Sequence, residues 1–438
     1  MATITRYPTR SFATWPKLKE LRRQLNQEAW AVHDAGGVVV ASQTCCHPLL
    51  AGLGPFARRL YGPYFSQAMR NTDLLVEYHQ AADARGYPRG EMCSSMHHHV
   101  GELLLGLTTT NPWNGAPSPV DLVFEMEFCS SVAKTAQLAG ELLGVPQFVL
   151  DIPQGGGEMA VRYTAARMHE AIAFLERATG KEYHDEWLIE AAQNWWERGA
   201  LIARICRANQ AVPATFDHHL LHALVVPSIV AGHRREVVDF YEEVLAEVEE
   251  RVRDGISVRG VETARLSHEG EPMYYAEDFV ADLVGRYGVV VVCGFTGLTQ
   301  GLWDITSDGR WTPAPRFGDL GLTLRNRDDA LSFLARAYAL NGPIFHCVRL
   351  DEKSGEYLNR ARDWRCDGSI IHLDIGCRYQ AAGMLEAKLA LEQAGIPAVT
   401  YQSSCGDSRD FSPRQVADPL QSFMERLGRQ PIGSEGLT

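Results

Sequence analysis

The chain has 438 residues, about three times a usual domain length of roughly 150, so two or three α/β-sized units are expected. Hydrophobic residues make up 45% and charged residues 22%, a balance that excludes a disordered chain and buries a core without disulfide staples. The formal net charge of −12 argues against nucleic acid or an anionic membrane surface as the main partner and leaves small molecules and other proteins.

The opening MATITRYPTRSF has no apolar leader run, and the greasiest stretches, 220–230 and 289–292, are broken by Pro227 or too short to span a bilayer. No membrane segment and a cytoplasmic location are therefore expected. In that reducing compartment the ten cysteines would stay unpaired, and any that are more than core filler are expected to bind metal or do chemistry.

In chain order, 15–33 reads as an amphipathic helix and 37–41 as a buried strand. LAGLGPFARRLYGP at 50–63 carries several turn signals and reads as a connection to a helical 67–86. VDLVFEME at 120–127 is a strand, 130–143 a helix, and Gly144-Val145-Pro146 leads straight into a second strand at 147–152. Such a βαβ unit with short connections builds parallel sheets.

From 160 to about 255 the period is helical throughout, at 163–179, 185–209 and 234–254, with a proline-interrupted apolar segment before the last. A polar, turn-rich passage at 259–272 is followed by a helix at 276–287 and a strand at 289–293. Strands at 344–349, 368–374 and 398–402 then alternate with helices at 354–364, 379–393 and 413–427. The expected fold is α/β, two Rossmann-like parallel-sheet halves with a helical segment between them. The expected units are an N-terminal α/β domain at 1–160, a helical region at 161–258 and a C-terminal α/β domain at 259–438.

Cys129 follows the strand VDLVFEME and precedes the helix SSVAKTAQLAGELLG; Cys377 sits the same way between SIIHLDIG and RYQAAGMLEAKLALEQAG. At a helix N-terminus the macrodipole and free backbone N–H groups favour a thiolate, which suits a metal ligand or nucleophile. The carboxyl ends of parallel strands are also where ligands bind. Cys93 in GEMCSSMHHHVGELL is a third candidate, because Ser94 and Ser95 open a helix. No C-x-x-C pair or ferredoxin-like ladder is present, so any metal site must be assembled from distant segments. The alternative at this point is three buried, inert thiols.

GEMCSS, then EMEFCSSV, then CDGSIIHLDIGCRYQAAGMLEAKLALEQAGIPAVTYQSSCGDSRDFSPRQVADPLQSFMERL resemble the 2-hydroxyacyl-CoA dehydratase and benzoyl-CoA reductase superfamily. VVVASQTCCHPLLAGLGPFARRLYG is similar to the family's early strand and helix start. The long stretch between Cys129 and Cys377 is similar to the larger of the two cluster-bearing catalytic subunits in ATP-dependent benzoyl-CoA reductase. The resemblance implies that Cys93, Cys129 and Cys377 hold one four-iron, four-sulfur (4Fe-4S) cluster with no cysteine on the fourth iron. It implies one-electron reduction of a CoA thioester to a ketyl. The outcome would be aryl-CoA reduction, or in the alternative elimination of water by a 2-hydroxyacyl-CoA dehydratase.

The same resemblance implies a homologous second catalytic subunit and a separate iron–sulfur activator that hydrolyses ATP, and this chain has no Walker A motif. A further alternative is a non-catalytic structural or regulatory partner of such a complex. His97, His98 and His99 have no counterpart in the family pattern, and Gln402-Ser403-Ser404 replaces a more acidic strand end.

One of His97, His98 and His99, with His98 taken to stand for them, is expected to donate a proton to the reduced substrate, since imidazole titrates near neutrality; the alternative is a polar helix end. Gly155 and Gly156, after a strand and before a helix, are taken to approach the CoA moiety. Cys46, beside Cys45 and His47, is a reserve ligand. Cys206, Cys293, Cys347, Cys366 and Cys405 read as core filler, and His218, His219 and His222 as helix-surface or core residues.

Overall fold

In the computed structural model, which describes residues 5–43, 48–60, 67–106, 119–127, 129–153, 157–306, 309–341 and 350–432, the strands are β1 (Val38–Ser42), β2 (Phe56–Leu60), β3 (Leu122–Glu127), β4 (Gln147–Asp151), β5 (Ala264–Glu269), β6 (Val289–Gly294), β7 (Trp303–Ile305), β8 (Trp311–Pro313), β9 (Gly368–Asp374) and β10 (Ala398–Ser403). One parallel sheet has the order β2-β1-β3-β4 and a second, also parallel, the order β10-β9-β5-β6. β7 and β8 form an antiparallel hairpin. These are the two α/β halves expected from the alternating pattern. β1, β3, β6 and β9 are buried along nearly their whole length, whereas the edge strands β4 and β10 are only partly buried.

The helices Glu158–Thr179, Asp185–Ala208 and Arg235–Asp254 follow the first sheet in sequence. Arg235–Asp254 shows why its residues form a helix. Val237, Val238, Phe240, Tyr241, Val244 and Val248 fall on one buried face, and Gly255 ends it with a left-handed φ of 63°. The core of the first sheet also takes in Leu302, Ala314 and the helix Arg327–Asn341 through Leu331, Leu334 and Tyr338. The expected division had placed those residues in the C-terminal unit. Among the described residues no helix is long and apolar enough to cross a membrane.

Two strands lie where connections were expected. β2 falls inside the turn-rich 50–63 stretch, and its arginines disguise it. Arg58 bonds Ser42 Oγ (3.1 Å) and the Ile229 carbonyl, and the Arg59 guanidinium lies 4.6 Å from the Trp30 ring centroid. β5 falls inside the polar 259–272 stretch and is fully buried. Arg265 bonds Glu262 (2.6 Å) and the Asn209 carbonyl (2.6 Å), while Ser267 meets Ser369 across the sheet at 2.8 Å. Polar residues with internal partners occupy core positions that a hydropathy pattern assigns to solvent. The single helix expected at 379–393 is two, Arg378–Ala381 and Met384–Gln393, broken at Gly383 with φ 76°. The strand expected at 344–349 lies outside the described residues.

Glu269 at the end of β5 forms a two-pronged pair with Arg360 at 2.5 and 3.1 Å, the residues being 1% and 3% exposed. The pair ties the second sheet to the helix Leu350–Asp363. Glu269→Gln leaves a buried guanidinium uncompensated, and a loss of about 3–5 kcal/mol in urea unfolding is expected; a loss below about 1 kcal/mol would show the pair to be dispensable.

Burial holds His79, His98, His218, His222, His233 and His268 below the ordinary imidazole range, His79 at about 4. The unfolded chain takes up protons near pH 6.5 that the folded chain refuses, so these groups add stability above that pH and lose it as the pH falls toward 4. Glu271, raised by burial from 4.5 to about 8, acts in the opposite direction and is outnumbered. The urea midpoint is therefore expected to fall between pH 7 and pH 5, and a flat or rising midpoint would refute this.

Candidate active site

Three cysteines open three helices. Cys93 is the N-cap of Ser94–Leu104, Cys129 of Ser130–Leu143, and Cys377 of Arg378–Ala381; none of their thiols makes a capping bond. Cys129 follows β3 in the first sheet and Cys377 follows β9 in the second. All three line one cavity of about 680 Å³, together with His79, Arg89, His97, Ser404 and Asp407. The described cysteines are free thiols. The structure thus brings together the three residues singled out by their strand-to-helix position.

Backbone bonds stitch the cysteine segments to one another. Cys93 N–H donates to Ser131 Oγ (3.4 Å) and Ser94 N–H to the Gly376 carbonyl (3.1 Å). Gly406 N–H donates to Ser94 Oγ (3.1 Å). Asp374 Oδ1 accepts from both Gly376 N–H (2.7 Å) and Cys405 N–H (3.1 Å). Gly376 is required by space, since a Cβ there would stand 2.3 Å from Ser94 Oγ and 2.5 Å from Ser404 Oγ. The Cys93 helix is itself pressed onto Thr72–Ala84, where a Cβ at Gly101 would lie 1.7 Å from the Tyr78 carbonyl oxygen.

The thiols do not all behave as the helix-terminus argument expects. Cys93 is held well below the ordinary thiol range, first by hydrogen bonds from the Cys377 and Cys405 thiols and then by the Ser95 and Met96 amides. Burial pushes Cys129 up to about 11, although the Val132 and Ser131 amides face it. Cys377 is also raised, by its bond to Cys93 and by burial. Desolvation outweighs the local N–H groups at Cys129 because the dipole of one helix turn is a modest effect.

Among the described residues no three His, Cys, Asp or Glu side chains converge to hold one metal ion. An all-thiol set drawn from three separated chain segments suits a polynuclear iron–sulfur group, in which each iron takes its own cysteine, better than a mononuclear ion. On donor chemistry the residues fit such a cluster.

His98 is buried away from the cavity lining, its Nδ1 3.4 Å from the Ser94 carbonyl and its Nε2 without a hydrogen-bond partner. Burial keeps it neutral. The histidines that do line the cavity are His97 and His79, with Nδ1 atoms 2.7 Å apart and rings stacked at 5.0 Å. Each outer Nε2 faces a carbonyl, Gly406 for His79 at 2.9 Å and Tyr87 for His97 at 2.7 Å. Two carbonyls at the outer ends and one bond between the rings would use three protons, one more than two neutral imidazoles carry, while burial holds His79 to about 4. Asp83 lies 3.2 Å from His97, and Asp407 3.9 Å from His79.

The member of the histidine run that reaches this cavity is thus His97 and not His98. The usable sequence signal was helical spacing, since His97 stands four residues after Cys93 and shares its face. Cys405, expected as core filler, is 1% exposed but lies 3.1 and 3.4 Å from the Ser95 and Ser94 hydroxyls. The signal there was a cysteine just beyond β10, neighbour of β9. Gly155 and Gly156, Cys45, Cys46, His47 and Cys347 lie outside the described residues. His218 and His222 are core residues; His219 joins Asp217 (2.7 Å) to His268 (3.1 Å) away from the cavity.

Two parallel sheets presenting thiols from separate halves to one cavity define an α/β protein with a sulfur-lined site. The chain belongs to the 2-hydroxyglutaryl-CoA dehydratase, D-component family, whose model matches residues 72–427, and it is an enzyme subunit of that family. It is 21% identical over 351 residues to the (R)-phenyllactyl-CoA dehydratase alpha subunit of Clostridium sporogenes, covering 78% of each chain. It is 22% identical over 323 residues to the (R)-2-hydroxyisocaproyl-CoA dehydratase alpha subunit of Clostridioides difficile, covering 70% of this chain and 71% of the relative. A benzoyl-CoA reductase subunit of Thauera aromatica is 23% identical over 360 residues, with 78% of each covered. These relatives are named as subunits.

Proposed function

We propose that this chain is the cluster-bearing catalytic subunit of an acyl-CoA enzyme that works by one-electron reduction of the thioester. The observation that carries the reading is the convergence of Cys93, Cys129 and Cys377, from three helix starts fed by both halves, on one cavity. When bound, a four-iron cluster supplies a low-potential electron and an iron that polarises the thioester carbonyl. The three thiols hold it, and the amide bonds around Ser94 set their spacing. The electron comes from a separate ATP-hydrolysing activator, in keeping with the lack of a Walker A motif in this sequence. The second subunit is a homologue of this one.

The chain's other residues serve the substrate. His79 and His97 at the cavity wall relay a proton to the reduced acyl group. Arg89 and Arg378, both at the cavity, meet the anionic CoA. The family description and the two dehydratase relatives favour elimination of water from a 2-hydroxyacyl-CoA. Aryl-CoA reduction is the second reading, supported by the likeness to a benzoyl-CoA reductase subunit.

Anaerobic assay of the chain with its partner subunit and activator, offered a 2-hydroxyacyl-CoA and an aryl-CoA, separates the two by product: an enoyl-CoA or a cyclic diene. Cys129→Ser is expected to lower turnover more than about 100-fold, beyond the usual cost of altering a metal site's outer shell. Retention of full activity would leave a non-catalytic partner as the better description. His79→Gln is expected to cost about 100-fold or more in turnover, the lower range for a lost general acid, with iron content unchanged. Equal turnover at equal iron content would remove the histidine pair from the mechanism.

A further inference from the structure

We infer that Lys353 is a positioning residue for Cys377: its buried ammonium holds the helical turn that carries this cysteine and stands as a positive charge behind it. The inference rests on the proposal that Cys377 is one of three thiol ligands to the cluster, and it assigns to that site a residue that does not line the cavity.

The break in the expected 379–393 helix creates the need. Ala382 leaves the helical region with φ −61° and ψ 131°, and Gly383 follows at φ 76°. In an unbroken helix the Gln380 carbonyl would accept from Met384 N–H and the Ala382 carbonyl from Glu386 N–H. The turn at Gly383 interrupts that ladder. Lys353 Nζ takes over, donating to the Gln380 carbonyl at 3.0 Å and to the Ala382 carbonyl at 2.6 Å. An ammonium has three donors and no acceptor, so one side chain serves both. Lys353 comes from the helix Leu350–Asp363 and is 1% exposed. The same helix meets the far side of the break, where Tyr357 Oη donates to Met384 Sδ at 3.5 Å.

Cys377 is therefore held from both sides. Before it, Gly376 N–H donates to Asp374 Oδ1 at 2.7 Å; after it, the single turn Arg378–Ala381 runs to the carbonyls that Lys353 binds. One turn of helix has too few internal bonds to persist unaided, so its external clamp decides where its first residue points. Packing alone is a poor explanation of Lys353. Burying an ammonium is costly, and methionine would fill a similar volume without that cost. Cys377 and Gln380 are three residues apart on the turn, a rise of about 4.5 Å, so the positive charge lies close behind the thiol. A cation there favours thiolate over thiol and favours addition of an electron to a group bound by that thiolate.

The test uses the full chain, purified without oxygen, as wild type, Lys353→Met, Lys353→Gln and Cys377→Ser. Hydrogen exchange read by mass spectrometry follows the peptide spanning 377–383 in the iron-free chain. Iron, acid-labile sulfide and the reduction potential, titrated by electron paramagnetic resonance, are measured on the iron-loaded chain. Lys353→Met is expected to exchange about 10-fold faster over 377–383, the effect of losing one ordinary hydrogen bond, with the helix Ser130–Leu143 unchanged. Both neutral variants are expected to show a more negative reduction potential than wild type, a change that loss of packing alone does not produce.

Exchange over 377–383 at the wild-type rate in Lys353→Met, or an unchanged potential in both neutral variants, would overturn the inference; loss of iron from Cys377→Ser would then leave the three-cysteine cluster standing. Iron and sulfide in Cys377→Ser equal to wild type, or absent from every preparation, would overturn the cluster reading as well, and the exchange rates of the iron-free chain tell that failure apart from a failure of the clamp. If circular dichroism shows that neither neutral variant folds, Lys353 is a folding residue and the inference is overturned.

Discussion

The site depends on one crossing point, the start of the helix Ser94–Leu104. There Ser94 gives its N–H to the Gly376 carbonyl and takes the Gly406 N–H on its hydroxyl, while Cys93 N–H reaches Ser131. Those bonds connect the ends of β3, β9 and β10, which belong to two different sheets. Buried amides must find partners, and here the partners are supplied by other cysteine loops. The spacing of the sulfurs follows from the satisfaction of backbone groups at the carboxyl ends of both sheets.

Charge is managed on either side of that crossing. Burial pushes Asp374, Glu271 and Cys129 upward, and the bond to Cys93 followed by burial raises Cys377, so that side of the crossing resists negative charge. On the other side, the His79 and His97 pair is backed by Asp83, Asp407 and Arg409. Arg409 bonds both carboxylates, Asp407 at 2.7 Å and Asp83 at 2.9 Å. This histidine and carboxylate network therefore sits at the cavity wall next to the sulfur-lined pocket.

The helical region and the hairpin give this arrangement its frame. The helix Asp185–Ala208 packs toward both halves, Leu188, Ala192, Trp195 and Trp196 in the first core and Leu201, Ile202 and Ile205 in the second. The Glu269 and Arg360 pair fastens β5 to its covering helix at the centre of the second sheet. A cavity formed between two sheets keeps its shape only if the sheets cannot slide, and these contacts supply that rigidity.

The α/β class, most helix positions and the placing of Cys93, Cys129 and Cys377 at helix starts were legible in the amino-acid sequence. Those features are local: period, capping residues and strand-to-helix junctions are written in a few neighbouring residues. β2 and β5 were not legible, because Arg58, Arg59, Arg265 and Glu269 read as solvent-facing until their distant partners are known. Nor were the surroundings of Cys405 or the place of His97, because the value of each lies in a neighbour brought close by strand order and helix packing. Which thiols and imidazoles meet is a property of the folded chain. Parallel pairing places the ends of strands far apart in sequence side by side, and no local pattern encodes that neighbour.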